Sequence, residues 1–144
     1  MMAYRERIAW MMLASIVTTL GPYLIYVYGF QQGVEIPMPG FEQLKLYGIA
    51  SSAFAVFVGL GYLVLRLRYP IEAKVPADER DAVIERQSYR AGYFVLLTGI
   101  IIVGIYKPFV ESGWSIVNDS ICIVFITEVV RDTIIVRNYY KQRS

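Results

Sequence analysis

The sequence predicts an all-α integral membrane protein: a four-transmembrane-helix bundle with both termini in the cytoplasm (N-in, C-in). Three observations carry this. Four stretches are long and apolar enough for a bilayer core of about 30 Å, which needs roughly 20 mostly apolar residues per helix. The 144 residues are 56% hydrophobic and only 18% charged, against about 25% charged in soluble domains. The basic residues cluster on one side of those stretches. The length suits a single membrane domain, 1–144. A mean hydropathy of +0.46 argues against disorder, collagen and disulfide scaffolds, and against a soluble enzyme that would have to hide long uncharged runs in a small core.

The first stretch, residues 8–30, has no charge in 23 positions. It is longer than the h-region of a cleaved signal peptide, about 7–15 residues, and no A-x-A-like site follows. Tyr23, Tyr26, Tyr28 and Phe30 suit a membrane interface at its far end. Residues 31–45 read as an outer loop, punctuated by Gly33, Pro37, Pro39 and Gly40. The second stretch, 46–65, is also uncharged, and Ser51, Ala55 and Gly59 step along it by four, with Gly48 and Ser52 alongside. Such spacing predicts close helix packing, within the chain or in a dimer. Residues 66–90 form a polar connection. Pro76 breaks any upstream helix, and Asp78 is the expected N-cap of a helix that runs on into the third span, 91–110. Residues 111–115 make a tight hairpin with an interfacial Trp114. The fourth stretch, 116–136, is the weakest, because it holds Asp119, Glu128, Arg131 and Asp132. Each half of the chain is a basic, Tyr-containing lead, a span, a short loop and a second span. Duplication gives this pattern, and so does any four-span N-in protein.

Orientation follows from charge. Eleven of the fourteen Lys and Arg residues precede the first span, fill 66–90 or follow the fourth span, while only Lys45 and Lys107 fall on the other side. The positive-inside rule then places both termini and the 66–90 connection in the cytoplasm.

That connection carries the densest polar text: Asp78, Glu79, Arg80, Asp81, then Glu85 and Arg86. Acidic residues in the first turn suit the positive end of a helix dipole. The i,i+4 pairs Asp81/Glu85 and Arg86/Arg90 are of like charge, so opposite partners must come from Arg5, Arg7, Arg66, Arg68, the C-terminal tail or another chain. The segment is either a solvated face or a docking surface. With Ile84-Glu85-Arg86, Arg90-Ala91-Gly92-Tyr93 and the opening Tyr4-Arg5-Glu6-Arg7-Ile8-Ala9-Trp10, it resembles a family of small bacterial four-span membrane proteins of unknown function. The resemblance covers essentially the whole chain. It implies the fold and a bacterial inner membrane, and supplies no catalytic or binding residues.

Two further clusters stand out. Glu128, Arg131 and Asp132 fall at i, i+3 and i+4, on one helical face. Charges inside a span are costly and face the bundle interior or a wet cavity, paired with one another. The cluster therefore reads as a proton or cation step, a latch between conformations, or a pin that sets helix depth. At the outer end the hairpin brings Lys107 and Asp119 together as a structural ion pair. Cys122, among Ile121, Ile123 and Val124, reads as a buried thiol.

The chain has no His and one Cys, which excludes a His general base, a His-ligated metal and an intramolecular disulfide. It carries no phosphate-binding, dinucleotide or nucleophile-elbow motif. The expectation is a protein that is not an enzyme, needs no cofactor or metal, and acts by binding as a membrane anchor or regulator. Its expected partners are membrane lipid, a cytosolic or membrane protein and a second copy, with no direct nucleic acid. The alternative is a small transporter or channel subunit that uses Glu128, Arg131 and Asp132.

Overall fold

The computed structural model describes residues 3–31, 34 and 36–143. Among them every extended element is a helix: α1 (Tyr4–Phe30), α2 (Phe41–Arg68), α3 (Glu79–Ile101) and α4 (Trp114–Arg143). Short helical turns lie at Glu72–Lys74 and Lys107–Phe109. α1, α2 and the run Glu79–Phe109 are long and apolar enough to cross a membrane. α4 is helical throughout but too charged to meet the same measure.

The helices outrun the apolar stretches, since charged flanking residues continue a helix readily. α4 has 30 residues, about 45 Å at 1.5 Å each. The outer loop is correspondingly shorter than the expected 31–45. Gly40 ends it, its carbonyl accepts the Leu44 N–H at 2.9 Å, and Phe41–Lys45 belong to α2. The third span also departs from a uniform helix. Regular α-helix stops at Ile101, and a π-helical turn, Ile102–Tyr106, leads into the final turn. Pro108 removes the N–H that would bond the Gly104 carbonyl, so the i→i−4 ladder gives way there.

α1 packs against α2 on one side and α4 on the other, and α4 packs against α3. The order across the molecule is therefore α2, α1, α4, α3. Where α1, α2 and α4 meet, Tyr23, Leu24, Val27 and Ile121 form a buried cluster, with Tyr47, Phe125 and Cys122 packed on it. α3 approaches α4 closely at Gly99, where any Cβ would collide with the Ile123 side chain. Gly113, at φ +61°, makes the turn into α4, a conformation that favours glycine.

α2 is the least buried helix, with only Gln43 buried. A Cβ built on Gly48 or Gly59 meets nothing within 4 Å. At these two positions the small-residue stripe therefore makes no close helix contact among the described residues, which departs from the expected packing within the chain. The reason is that α2 is apolar all round, so its composition does not single out one face for packing.

Burial departs from that of a soluble domain. The interior includes Glu6, Ser15, Gln43, Ser88, Asn118, Thr127 and Asp132, while Phe57, Leu60, Leu63, Phe94, Ile100 and Ile105 are exposed. Contiguous exposed apolar surface of this kind marks contact with lipid or protein.

Candidate functional site

Polar side chains gather at the two ends of the molecule. At the first end, α3 opens with a capping box. The Asp81 N–H donates to Asp78 Oδ1 at 2.7 Å, and the Asp78 N–H donates to Asp81 Oδ2 at 3.4 Å. Asp81 reaches further. Its Oδ2 lies 3.2 Å from Arg5 Nε of α1, and its Oδ1 accepts the Tyr139 hydroxyl of α4. Burial, and then this bond, pushes the Tyr139 hydroxyl well above its ordinary pKa. One carboxylate thus ties three helix ends together. The Arg7 guanidinium sits 3.7 Å above the Tyr69 ring, which brings the end of α2 to the same place.

The motif expected as one docking surface is therefore divided. Asp78 and Asp81 are engaged within the chain, and Glu79, Arg80, Glu85 and Arg86 remain exposed. Four residues apart on α3, Asp81, Glu85 and Tyr89 line a cavity of about 300 Å³ at this end.

Arg131 and Asp132 of the cluster on α4 form another wall of that cavity. Arg131 Nη2 lies 2.8 Å from Glu128 Oε2 and 3.1 Å from Asp132 Oδ1, and its guanidinium carbon is 5.6 Å from the centre of the Tyr89 ring. Burial differs sharply along the cluster. The Asp132 side chain is 2% exposed and Glu128 29%. Asp132 Oδ2 is buried and accepts no hydrogen bond among the described residues. Two groups of residues read separately in the sequence, Asp81/Glu85 and Arg131/Asp132, share one cavity. Tyr139 and Tyr62 were missed. The seven-residue step from Asp132 to Tyr139, which keeps both on one face of α4, is the signal that points to Tyr139, and no local pattern points to Tyr62 on α2.

At the other end, Lys107 Nζ lies 2.8 Å from Asp119 Oδ2 and 2.6 Å from Glu111 Oε1. The Ser115 hydroxyl donates to Glu111. The Lys107 ammonium, and then Ser115, hold the Glu111 carboxyl below its usual range. The Tyr28 hydroxyl donates to Asp119 Oδ1 at 2.5 Å and the Tyr23 hydroxyl to Asn118 Oδ1 at 2.7 Å. Sequence reasoning placed Lys107 and Glu111 at this end and paired Lys107 with Asp119, but missed Tyr28 and Ser115 as further members. Among the described residues, no group of three or more His, Cys, Asp or Glu side chains is placed to hold a metal ion.

Fold and site together define a helical protein with three helices able to cross a membrane and a charged cavity at one end. Comparison with protein-family models, curated proteins and solved structures finds no match.

Proposed function

We propose that this chain is a small multi-pass protein of a bacterial inner membrane, with four spans and both helix-bundle ends 4 and 143 cytoplasmic, that acts by binding. In this reading it is an anchor or regulator that a cytosolic or membrane partner meets at the basic end. The observation that carries the reading is the division within the α3 lead. Asp78 and Asp81 hold the lead against α1 and α4, while Glu79, Arg80 and Arg86 stay exposed on the same helix. Charges of both signs on a pre-ordered backbone recognise a complementary partner with little further ordering. α4 counts as the fourth span because its charges are paired internally, as intramembrane charges require. The resemblance to small bacterial four-span proteins, which rests on the same lead, belongs to this proposal.

A photo-reactive side chain in place of the exposed Val83 tests it in cells. The expected product is a discrete cross-linked protein that disappears when Glu79→Lys, Arg80→Glu and Arg86→Glu are combined. Cross-links to lipid or to a second copy alone would remove the partner.

A transporter or channel subunit is favoured by one observation, the burial of Asp132 on a cavity wall beside Glu128 and Arg131. Proton or cation flux into liposomes that Asp132→Asn abolishes would replace the anchor reading. Wild-type protein without flux would dismiss transport.

A further inference from the structure

The cavity at the basic end has a property that a docking surface on α3 does not use. It is about 300 Å³ in volume and is walled by all four helices, with Met12 of α1 and Val58 of α2 among its apolar lining. That is the small end of the range for ligand pockets, roughly 300–1,000 Å³, which are mostly apolar with a few polar groups that fix orientation. We propose that this cavity binds the protonated amine of an amphiphilic molecule, with Asp132 Oδ2 accepting an N–H and the apolar body lying against α1 and α2.

The charge inventory points to a cation. Arg5 and Arg131 line the cavity, together with Asp81, Glu85 and Asp132, while α2 contributes no charge. Both cations already face carboxylates: Arg5 faces Asp81, and Arg131 faces Glu128 and Asp132 Oδ1. The unmatched charged groups are acceptors. Asp132 Oδ2 is buried in a residue only 2% exposed and has no donor among the described residues. A buried carboxylate oxygen without a donor is unfavourable, and a ligand N–H removes that cost. A quaternary ammonium brings the charge without the donor, so the site discriminates between them. Tyr62 and Tyr89 add aromatic rings to the wall, and an aromatic ring attracts a cation over its face once water is displaced. The proposal is independent of whether a protein docks on the α3 lead.

The amine can come from a membrane aminophospholipid or from a free lipophilic amine. The test uses the full chain in nanodiscs of phosphatidylcholine, which has no N–H. Calorimetric titration with octylamine is expected to give saturable binding at one site, beyond that of empty discs. Octyltrimethylammonium should bind about tenfold more weakly, the size of one lost hydrogen bond. Asp132→Asn should weaken octylamine by a similar factor. Val58→Trp, on the least packed helix, should fill the cavity and abolish binding with the polar cluster intact. Repeating the titration with phosphatidylethanolamine in the discs assigns the source. Competition supports a lipid headgroup, and its absence supports a free amine. No saturable binding of octylamine, or equal affinity for the two cations together with indifference to Val58→Trp, would overturn the proposal.

Discussion

Asp132 and Glu128 carry the same charge one helical turn apart, yet their surroundings give them different weight. Arg131 touches both. Removing the guanidinium leaves the buried Asp132 carboxyl without its cation, a loss of about 3–5 kcal/mol in comparable buried pairs. Removing the Glu128 carboxylate leaves Arg131 with Asp132 and opens a site that is 29% exposed. Arg131→Gln should therefore lower the thermal midpoint in detergent far more than Glu128→Gln, and Arg131→Gln with Asp132→Asn should recover much of the loss. Equal midpoints for the two single variants would mean that Arg131 reaches solvent along its stem. The i, i+3, i+4 spacing was legible in the sequence, because helical geometry alone puts the three on one face. The burial difference was not, because it depends on how the neighbouring helices pack around each position, which no local pattern encodes. A second residue-scale prediction concerns Glu111. The Lys107 ammonium lowers its pKa, so its contribution is fully present above the ordinary Glu value, about 4.3, and is lost as pH falls through the lowered value. The stability difference between wild type and Glu111→Gln should hold steady above about pH 5 and close below it. The side chain is 34% exposed, so the difference should also shrink as salt is added.

Helix α3 shows what an element adds to its residues. Its start was readable in full: Pro76 ends the chain before it, Asp78 caps it, and Asp81 is the third helical residue that completes the box. Its continuity from that cap into the apolar run was readable too, since nothing between Glu79 and Ile101 breaks a helix. Two things were hidden. The turn from α- to π-helix at Ile102 lies upstream of Pro108, the residue that disrupts the ladder. The contacts of Asp81 with Arg5 and Tyr139 join residues 76 and 58 positions apart, and no local pattern encodes such distances. Asp81 thus works at once as half of a capping box and as the tie between α1, α3 and α4. Asp81→Asn should lower the thermal midpoint and raise hydrogen exchange in the first turns of α3. Glu79→Gln, two residues away and exposed, should stay within about 0.5 kcal/mol of wild type. If both variants exchange alike, the capping box alone holds the lead and the contacts with Arg5 and Tyr139 contribute nothing.

At the scale of the whole molecule, the contacts sort the helix ends into two sets, and the sorting bears on orientation. Arg5, Asp81 and Tyr139 meet at one end, with Tyr69 joined through Arg7. Tyr28, Lys107 and Asp119 meet at the other, where the Trp114 N–H also donates to the Ile36 carbonyl at 3.1 Å. Successive helices therefore run in alternating directions, and the start of α1 lies beside the end of α4. The apolar lengths of α1, α2 and α3 were legible in composition, and α4 was legible as the weakest of the four: the four charges within 116–136 dilute the signal of a helix that runs from one polar end to the other. Eleven basic residues sit at or beyond the Asp81 end and two at the Asp119 end, a bias from which the positive-inside rule predicts a cytoplasmic first end. Reporter domains fused after Pro76 and after Lys141 should then read cytoplasmic, and fusions after Gly40 and Gly113 should read external. The Lys141 fusion decides most, because it separates a fourth helix that crosses from one that lies along the membrane. An external reading there, with Gly113 also external, would leave three spans and place Glu128, Arg131 and Asp132 outside the bilayer. A cytoplasmic reading sets the same cluster within a span, where pairing around Arg131 is a condition of insertion.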